Sequence, residues 1–187
     1  LLCFFSFFRN NYVISNSRAG ISFHKRYFSG STLFFYVPNF IRINSKSSIN
    51  SIFDISFKNI IHVGRFHKDK GQDLFLNAIG LLKAEIPPND FAAIRFYFIG
   101  RFPSNFISYY KLLSFYNLHE NVFFIGDLPR DKLLNSIQDC YLYVLSSRTE
   151  GFPNSLLEFL NYKIVSIASN VGDVPFMLPS SSIYSNS

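Results

Sequence analysis

From residue 58 onward, short unbroken apolar runs alternate with longer stretches in which apolar positions recur at helical spacing. The runs at 58–64 (KNIIHVG), 94–100 (IRFYFIG), 121–126 (NVFFIG), 141–145 (YLYVL) and 163–168 (KIVSIA) each predict a strand. Between the first two, residues 71–85 place Leu74, Ala78, Ile79 and Leu82 on one face of a helix that Pro87 and Pro88 stop. Residues 104–118 predict a second helix with Ser104 as its cap. Residues 129–139 open on a proline suited to a first helical turn. Asn154–Asn161 predicts a short helix before the last run.

Strands that are apolar on both sides suit a parallel sheet covered by helices on each face. The alternation therefore predicts an α/β fold, a doubly wound parallel sheet. In such sheets ligands bind beyond the carboxyl ends of the strands. Three of the runs end in glycine (Gly64, Gly100, Gly126) and the next two lead into polar loops, so these loops are expected to line a site. Ahead of this alternation, residues 11–15 (NYVIS) and 33–37 (LFFYV) predict two more strands with a basic helical stretch between them. Residues 44–57 (NSKSSINSIFDISF) have the composition of a linker, which divides the chain into 1–43, 44–57 and 58–187. The closing SSSIYSNS is expected to be frayed or truncated.

Composition narrows the class. With 187 residues, 48% of them hydrophobic and 16% charged, the chain can bury a core and is not a disordered tail. No apolar run approaches the ~18–20 residues of a membrane span. Residues 1–8, broken only by Ser6, are too short and lack the preceding basic flank of a signal peptide. A first residue of Leu predicts a piece of a longer chain. The net charge of +6 is uneven: residues 1–70 hold ten Lys/Arg against Asp54 and Asp69, and residues 71–187 hold eight against ten carboxylates. A basic first third implies an anionic partner, a phosphate or an acidic membrane surface, but no Lys/Arg run is dense enough for nucleic acid. Cys3 and Cys140 give neither a disulfide framework nor zinc spacing, and read as reduced buried thiols of a cytoplasmic protein. His62 reads as a core residue, His67 sits in a candidate phosphate loop, and His24 and His119 read as surface; no pair has metal spacing.

Two clusters carry chemistry. The first is Gly64-Arg65-Phe66-His67-Lys68-Asp69-Lys70-Gly71, between a strand and a helix. Arg65 can grip two phosphate oxygens with its planar fork, Lys70 adds charge, and the N–H groups after Gly71 favour an anion. Neither a Walker loop nor G-x-G-x-x-G is present, which removes the main support for nicotinamide dinucleotide binding. The second is Glu150-Gly151-Phe152-Pro153-Asn154-Ser155-Leu156-Leu157-Glu158. Gly151 admits a close ligand, Pro153 and Asn154 open a helix whose free N–H groups suit a diphosphate, and the two carboxylates can accept sugar hydroxyls. Glu158 is expected about two turns into that helix. Bland alternatives are a solvated basic loop for the first cluster, and a helix cap at Glu150 with a surface Glu158 for the second.

Taken together, GRF-x3-KG and E-x7-E in EGFPNSLLE resemble the donor-binding half of the retaining, family-4 (group 1) glycosyltransferases of GT-B fold. Val37-Pro38-Asn39, the strand 121–126 and Val171-Gly172-Asp173-Val174-Pro175 resemble further segments of that family. Asn39-Phe40 stands where the family has Asn-Gly, Gly100-Arg101-Phe102 where it has Gly-x-Gly, and Phe176 where many members have Glu. The resemblance implies a Rossmann-like donor domain at 58–187, truncated at its C-terminus, with 1–43 a remnant of the acceptor-side domain. It implies a hexosyltransferase that transfers a sugar with retention from a nucleotide-diphosphate sugar to a sugar, lipid-linked or other acceptor. The nucleotide-sugar is the substrate, and no cofactor or metal is required. Arg65 and Lys70 would hold the diphosphate, Glu150 the transferred sugar and Glu158 the ribose. Gly64, Gly151, Phe152, Pro153, Asn154 and Ser155 would complete the donor site, and the loop after residue 126 would face the base. The piece alone is then expected to bind donor without turnover. A nucleotide-sugar binding module without transfer activity, or an unrelated α/β protein with another phosphorylated ligand, are the competing readings.

Overall fold

Successive side chains of a strand leave opposite faces of its sheet, and the apolar runs of this chain use both faces. The computed structural model describes residues 12–28, 32–41, 51–103 and 106–185. Within them β3 (Lys58–Val63), β4 (Ile94–Ile99), β5 (Val122–Gly126), β6 (Leu142–Leu145), β7 (Ser166–Ser169) and β8 (Ile183–Tyr184) form one parallel sheet in the order β5-β4-β3-β6-β7-β8. Ile60, Phe96, Phe98 and Val144 pack with Phe75, Leu76 and Ile79 of α2 (Gln72–Glu85), Phe91 of α3 (Pro88–Ala92) and Leu113 of α4 (Ile107–Phe115). Their neighbours Ile61, Tyr97, Ile99, Tyr143 and Leu145 pack with Leu133 and Leu134 of α5 (Arg130–Ser136) and Leu156 and Phe159 of α6 (Asn154–Asn161). Two cores on the two faces of one sheet are the doubly wound arrangement that the alternation predicts. The strand order reverses between β3 and β6, where the loops part and ligands of such folds bind.

The boundaries differ from expectation at four places. The strand predicted at 163–168 begins only at Ser166, because Lys163 adopts φ 60° and the Ile164 N–H returns to the Phe159 carbonyl, closing α6. The helix predicted at 104–118 spans Ile107–Phe115, and Asn117 (φ 51°) with the Leu118 N–H on Leu113 ends it in the same manner. The helix predicted at 129–139 is α5 followed by a 3-10 turn at Ile137–Asp139. The tail is not frayed throughout: a 3-10 turn at Ser180–Ser182 leads into β8, whose Ile183 pairs with Ala168. Cys3, residues 42–50 and Ser104 lie outside the described residues.

Ahead of the large sheet, β1 (Tyr12–Ser15) and β2 (Leu33–Tyr36) pair in parallel around α1 (Arg18–His24). The fully buried Asp173, in the loop after β7, accepts hydrogen bonds from the Arg18 and Ala19 N–H groups at 2.8 and 3.0 Å. A carboxylate at a helix start satisfies leading N–H groups and complements the dipole, so it anchors α1 beside the β7 loop. Between β2 and β3, Phe53 is buried against Tyr97, and the Ile52 N–H donates to Ser136 Oγ.

His62 is a core residue, as the sequence predicts. It is 1% exposed, lies against Phe75 and Phe98, and its Nδ1 meets the Val144 carbonyl at 3.0 Å. Burial depresses its pKa to about 4, the hydrogen bond to Val144 opposes this, and the Lys70 charge adds to it. Below its ordinary value of 6.5 the unfolded chain takes up a proton that the fold refuses. Stability is therefore full above 6.5 and falls as pH drops towards 4. At ~1.4 kcal/mol per unit, moving from pH 7 to pH 5 should cost the wild type about 2 kcal/mol more than His62→Gln. Urea denaturation at the two pH values measures the difference, and equal losses would refute this account. Cys140, the thiol among the described residues, is buried, and desolvation pushes it up to about 12, so it is inert at neutral pH.

Candidate functional site

The loops after β3 and β6 leave the sheet side by side at the switch point, and each is fixed by side chains of the other. After β3 the chain passes Gly64 to His67, makes a 3-10 turn at Lys68–Lys70, and enters α2 through Gly71 at φ 64°. A Cβ at Gly71 would collide with the carbonyl oxygen of Ser146, so only glycine lets the loops approach this closely. Ser146 Oγ donates to the Lys70 and Gly71 carbonyls at 3.1 and 2.9 Å. The buried Gln72 donates from Nε2 to the Gly64 and Arg65 carbonyls at 3.3 and 2.9 Å. Arg148 forms a two-bonded fork with Asp73 at 2.7 Å on each arm, donates to the Lys68 carbonyl, and gives its N–H to the Asp69 carbonyl. Those bonds with Arg148 hold the Asp73 carboxyl below its usual range.

Lys70 and Glu150 meet across this seam. Lys70 Nζ donates to Glu150 Oε1 at 2.5 Å, and Ser147 Oγ donates to the same oxygen at 2.7 Å. Arg65 is exposed on the neighbouring turn, and its guanidinium has no ion pair or hydrogen bond among the described residues. His67, in the same loop, faces its own Asp69 at 3.2 Å.

Past Glu150, Pro153 is extended and α6 starts at Asn154 with no side-chain cap, leaving its leading N–H groups available to an anion. Glu150 therefore does not cap this helix. Glu158 is the fifth residue of α6, about one turn in rather than two, because residues 150–153 are not helical. It is buried, not on the surface, and Arg130 Nη2 meets its Oε1 at 2.6 Å. Desolvation raises the Glu158 pKa and Arg130 opposes the rise. Residues 37–41, Arg130, Asn154, Leu157 and Glu158 line a cavity of about 390 Å³. Asn39 Nδ2 donates to Asn154 Oδ1 at 2.6 Å along its wall.

The structure thus brings Lys70 to Glu150, and Asn154 to Glu158. Gly151 lies against Ser17, and Gly172, at φ 53°, fits under the Glu150 and Gly151 carbonyls. Phe152 lines a separate hollow with Arg18, Tyr36, Asp173 and Phe176, and Ser155 Oγ accepts from the Tyr143 hydroxyl at 2.8 Å. Sequence reasoning passed over Gln72, Ser146, Ser147, Arg148 and Arg130, and named Asp173 only as part of a family segment, without its role at the start of α1. Only Arg130 left a signal: a cation in the first turn of a helix runs against the dipole, which flags a partner elsewhere.

Residues 50–178 match the family described as Glycosyl transferases group 1. The capsular polysaccharide biosynthesis glycosyltransferase CapH of Staphylococcus aureus is 30% identical over 128 residues, 67% of this chain and 34% of that protein. Among solved structures, S. aureus TarM in a complex with UDP superposes with a TM-score of 0.71 at 21% identity, covering 92% of this chain and 33% of that one. Anabaena HepE in complex with UDP and glucose gives 0.69 at 16%, covering 94% and 49%. The chain spans about a quarter to a third of the length of the curated relatives it matches. With its doubly wound parallel sheet and with the family match running through both loop clusters, this chain belongs to the group 1 glycosyltransferases.

Proposed function

We propose that this chain is the donor-binding part of an enzyme that takes a nucleotide-diphosphate sugar and transfers its sugar, a hexose, with retention to a sugar or lipid-linked acceptor. The observation that carries the reading is the Lys70–Glu150 couple beside the uncapped start of α6 at the switch point. Arg65, Lys70 and the α6 N–H groups take the diphosphate. Their positive charge is preorganised where negative charge grows as the sugar leaves, which stabilises the departing group. Glu150 receives the sugar hydroxyls and Glu158 the ribose. Gly64, Gly151, Phe152, Pro153 and Ser155 shape the walls. The UDP held by two structural neighbours supports a nucleotide donor. The chemistry needs no cofactor or metal, because the protein's own cations do this work.

The reading extends to a cytoplasmic enzyme without nucleic-acid partners that touches an acidic membrane surface through its basic first third. Lys25 and Arg26 are exposed there at the end of α1. No helix among the described residues is long and apolar enough to cross a membrane. Calorimetry with UDP, GDP, ADP and their glucose conjugates tests the donor site. At least one should bind, and Arg65→Ala should weaken it about tenfold, roughly 1.4 kcal/mol, with Tm unchanged. Binding of none of them would overturn the proposal.

A further inference from the structure

We infer that Arg130 is a positioning residue for the nucleoside end of the donor: it holds the Glu158 carboxylate towards the ribose hydroxyls in the cavity between α6 and residues 37–41. The inference rests on the donor reading above and adds a residue to it.

Arg130 opens α5, where the helix dipole disfavours a cation. Its side chain is 61% exposed, yet it reaches a carboxylate that is only 11% exposed. That geometry costs the long side chain rotamer freedom. What it fixes is the direction of Glu158. The ion pair meets the carboxylate at Oε1, at 2.6 Å. An ionised carboxylate accepts through both oxygens, and both Arg130 and Glu158 line the cavity, so a ligand there meets a carboxylate whose direction Arg130 sets. The other carboxylate differs: Glu150 Oε1 already takes Lys70 and Ser147. The two acidic residues are thus held by cations from different elements, Lys70 before α2 and Arg130 at the start of α5. The Arg130 couple is the one that opens onto a nucleoside-sized cleft of about 390 Å³.

A positioning role differs from general electrostatic attraction in what it discriminates. Calorimetry would use the nucleoside diphosphate that binds tightest among UDP, GDP and ADP, its 2′,3′-dideoxy counterpart, and inorganic pyrophosphate. In the wild type, removal of the ribose hydroxyls should weaken binding about tenfold. Arg130→Gln should lose that preference, binding the two nucleotides equally with pyrophosphate affinity unaltered. Arg130→Lys should recover part of the preference. Lys132→Gln, which removes an exposed charge of the same helix outside the cavity, should leave it intact. A ribose preference that survives Arg130→Gln overturns this inference and leaves the donor site standing. Equal weakening of all three ligands assigns Arg130 to charge attraction and also overturns it. Binding of no nucleotide at all overturns both.

Discussion

Lys70→Ala should lose both stability and nucleotide affinity, and a second substitution should return only the first. In the folded protein Lys70 neutralises Glu150, whose side chain is 11% exposed. Truncating the lysine leaves a mostly buried carboxylate with Ser147 as its remaining donor. An under-satisfied buried polar group costs roughly 1–3 kcal/mol, and a similar loss is expected here. Adding Glu150→Gln removes the stranded charge while keeping an oxygen for Ser147, so most of that stability should come back. Affinity for a nucleoside diphosphate should fall at least about tenfold in Lys70→Ala and stay low in the double variant, because the cation that meets the diphosphate is still missing. Chemical denaturation and calorimetry on the two single variants and the double close the cycle. If the double variant regains wild-type affinity, Lys70 serves only to neutralise Glu150, and its place at the diphosphate is wrong.

This coupling was only half legible in the sequence. Lys70 and Glu150 were visible as separate clusters because each sits in a loop with its own glycine and helix start. Their meeting depends on the adjacency of β3 and β6, which no local pattern encodes. The same is true of Arg148 and Asp73, whose fork joins residues 75 positions apart. Periodicity read the sheet well, since Ile60 and Ile61 go to opposite cores as alternation requires. It failed where backbone conformation overrides side-chain pattern. Lys163 looks like the start of a strand but turns left-handed to end α6. Two-residue β8 has no period at all, and pairing with β7 and the Tyr184 hydroxyl on the Leu145 carbonyl at 3.1 Å hold it. The bounds of α6 were read correctly and Glu158 was recognised by its spacing, but its burial was not, because that depends on how α6 packs and on Arg130 reaching across from α5, which no local pattern encodes.

Gly71→Ala should be the most damaging small substitution in the site. Gly71 has φ 64°, a region that costs an L-residue roughly 1–2 kcal/mol. The added methyl would also strike the Ser146 carbonyl, a backbone atom that cannot swing aside as a side-chain tip does. Ser146 in turn holds the Lys70 and Gly71 carbonyls through its hydroxyl. Relief of the clash therefore pushes apart the two loops that bring Lys70 to Glu150. Together these effects should cost roughly 3 kcal/mol. At about 2–4 °C per kcal/mol for a chain of this size, Tm should drop by about 6–12 °C. Gly151→Ala is the comparison: its φ is not positive and its nearest obstacle is the Ser17 hydroxyl at 3.3 Å, a side-chain atom that can turn. It should cost less than about 1 kcal/mol. Nucleoside diphosphate binding should weaken in Gly71→Ala even at temperatures where the variant is fully folded, because the separation of the loops persists in the native state. Thermal and chemical denaturation of both variants, with calorimetry on the folded forms, measure each part. Equal stability of the two variants would show that the seam between the β3 and β6 loops is looser than the packing of Gly71 on Ser146 requires.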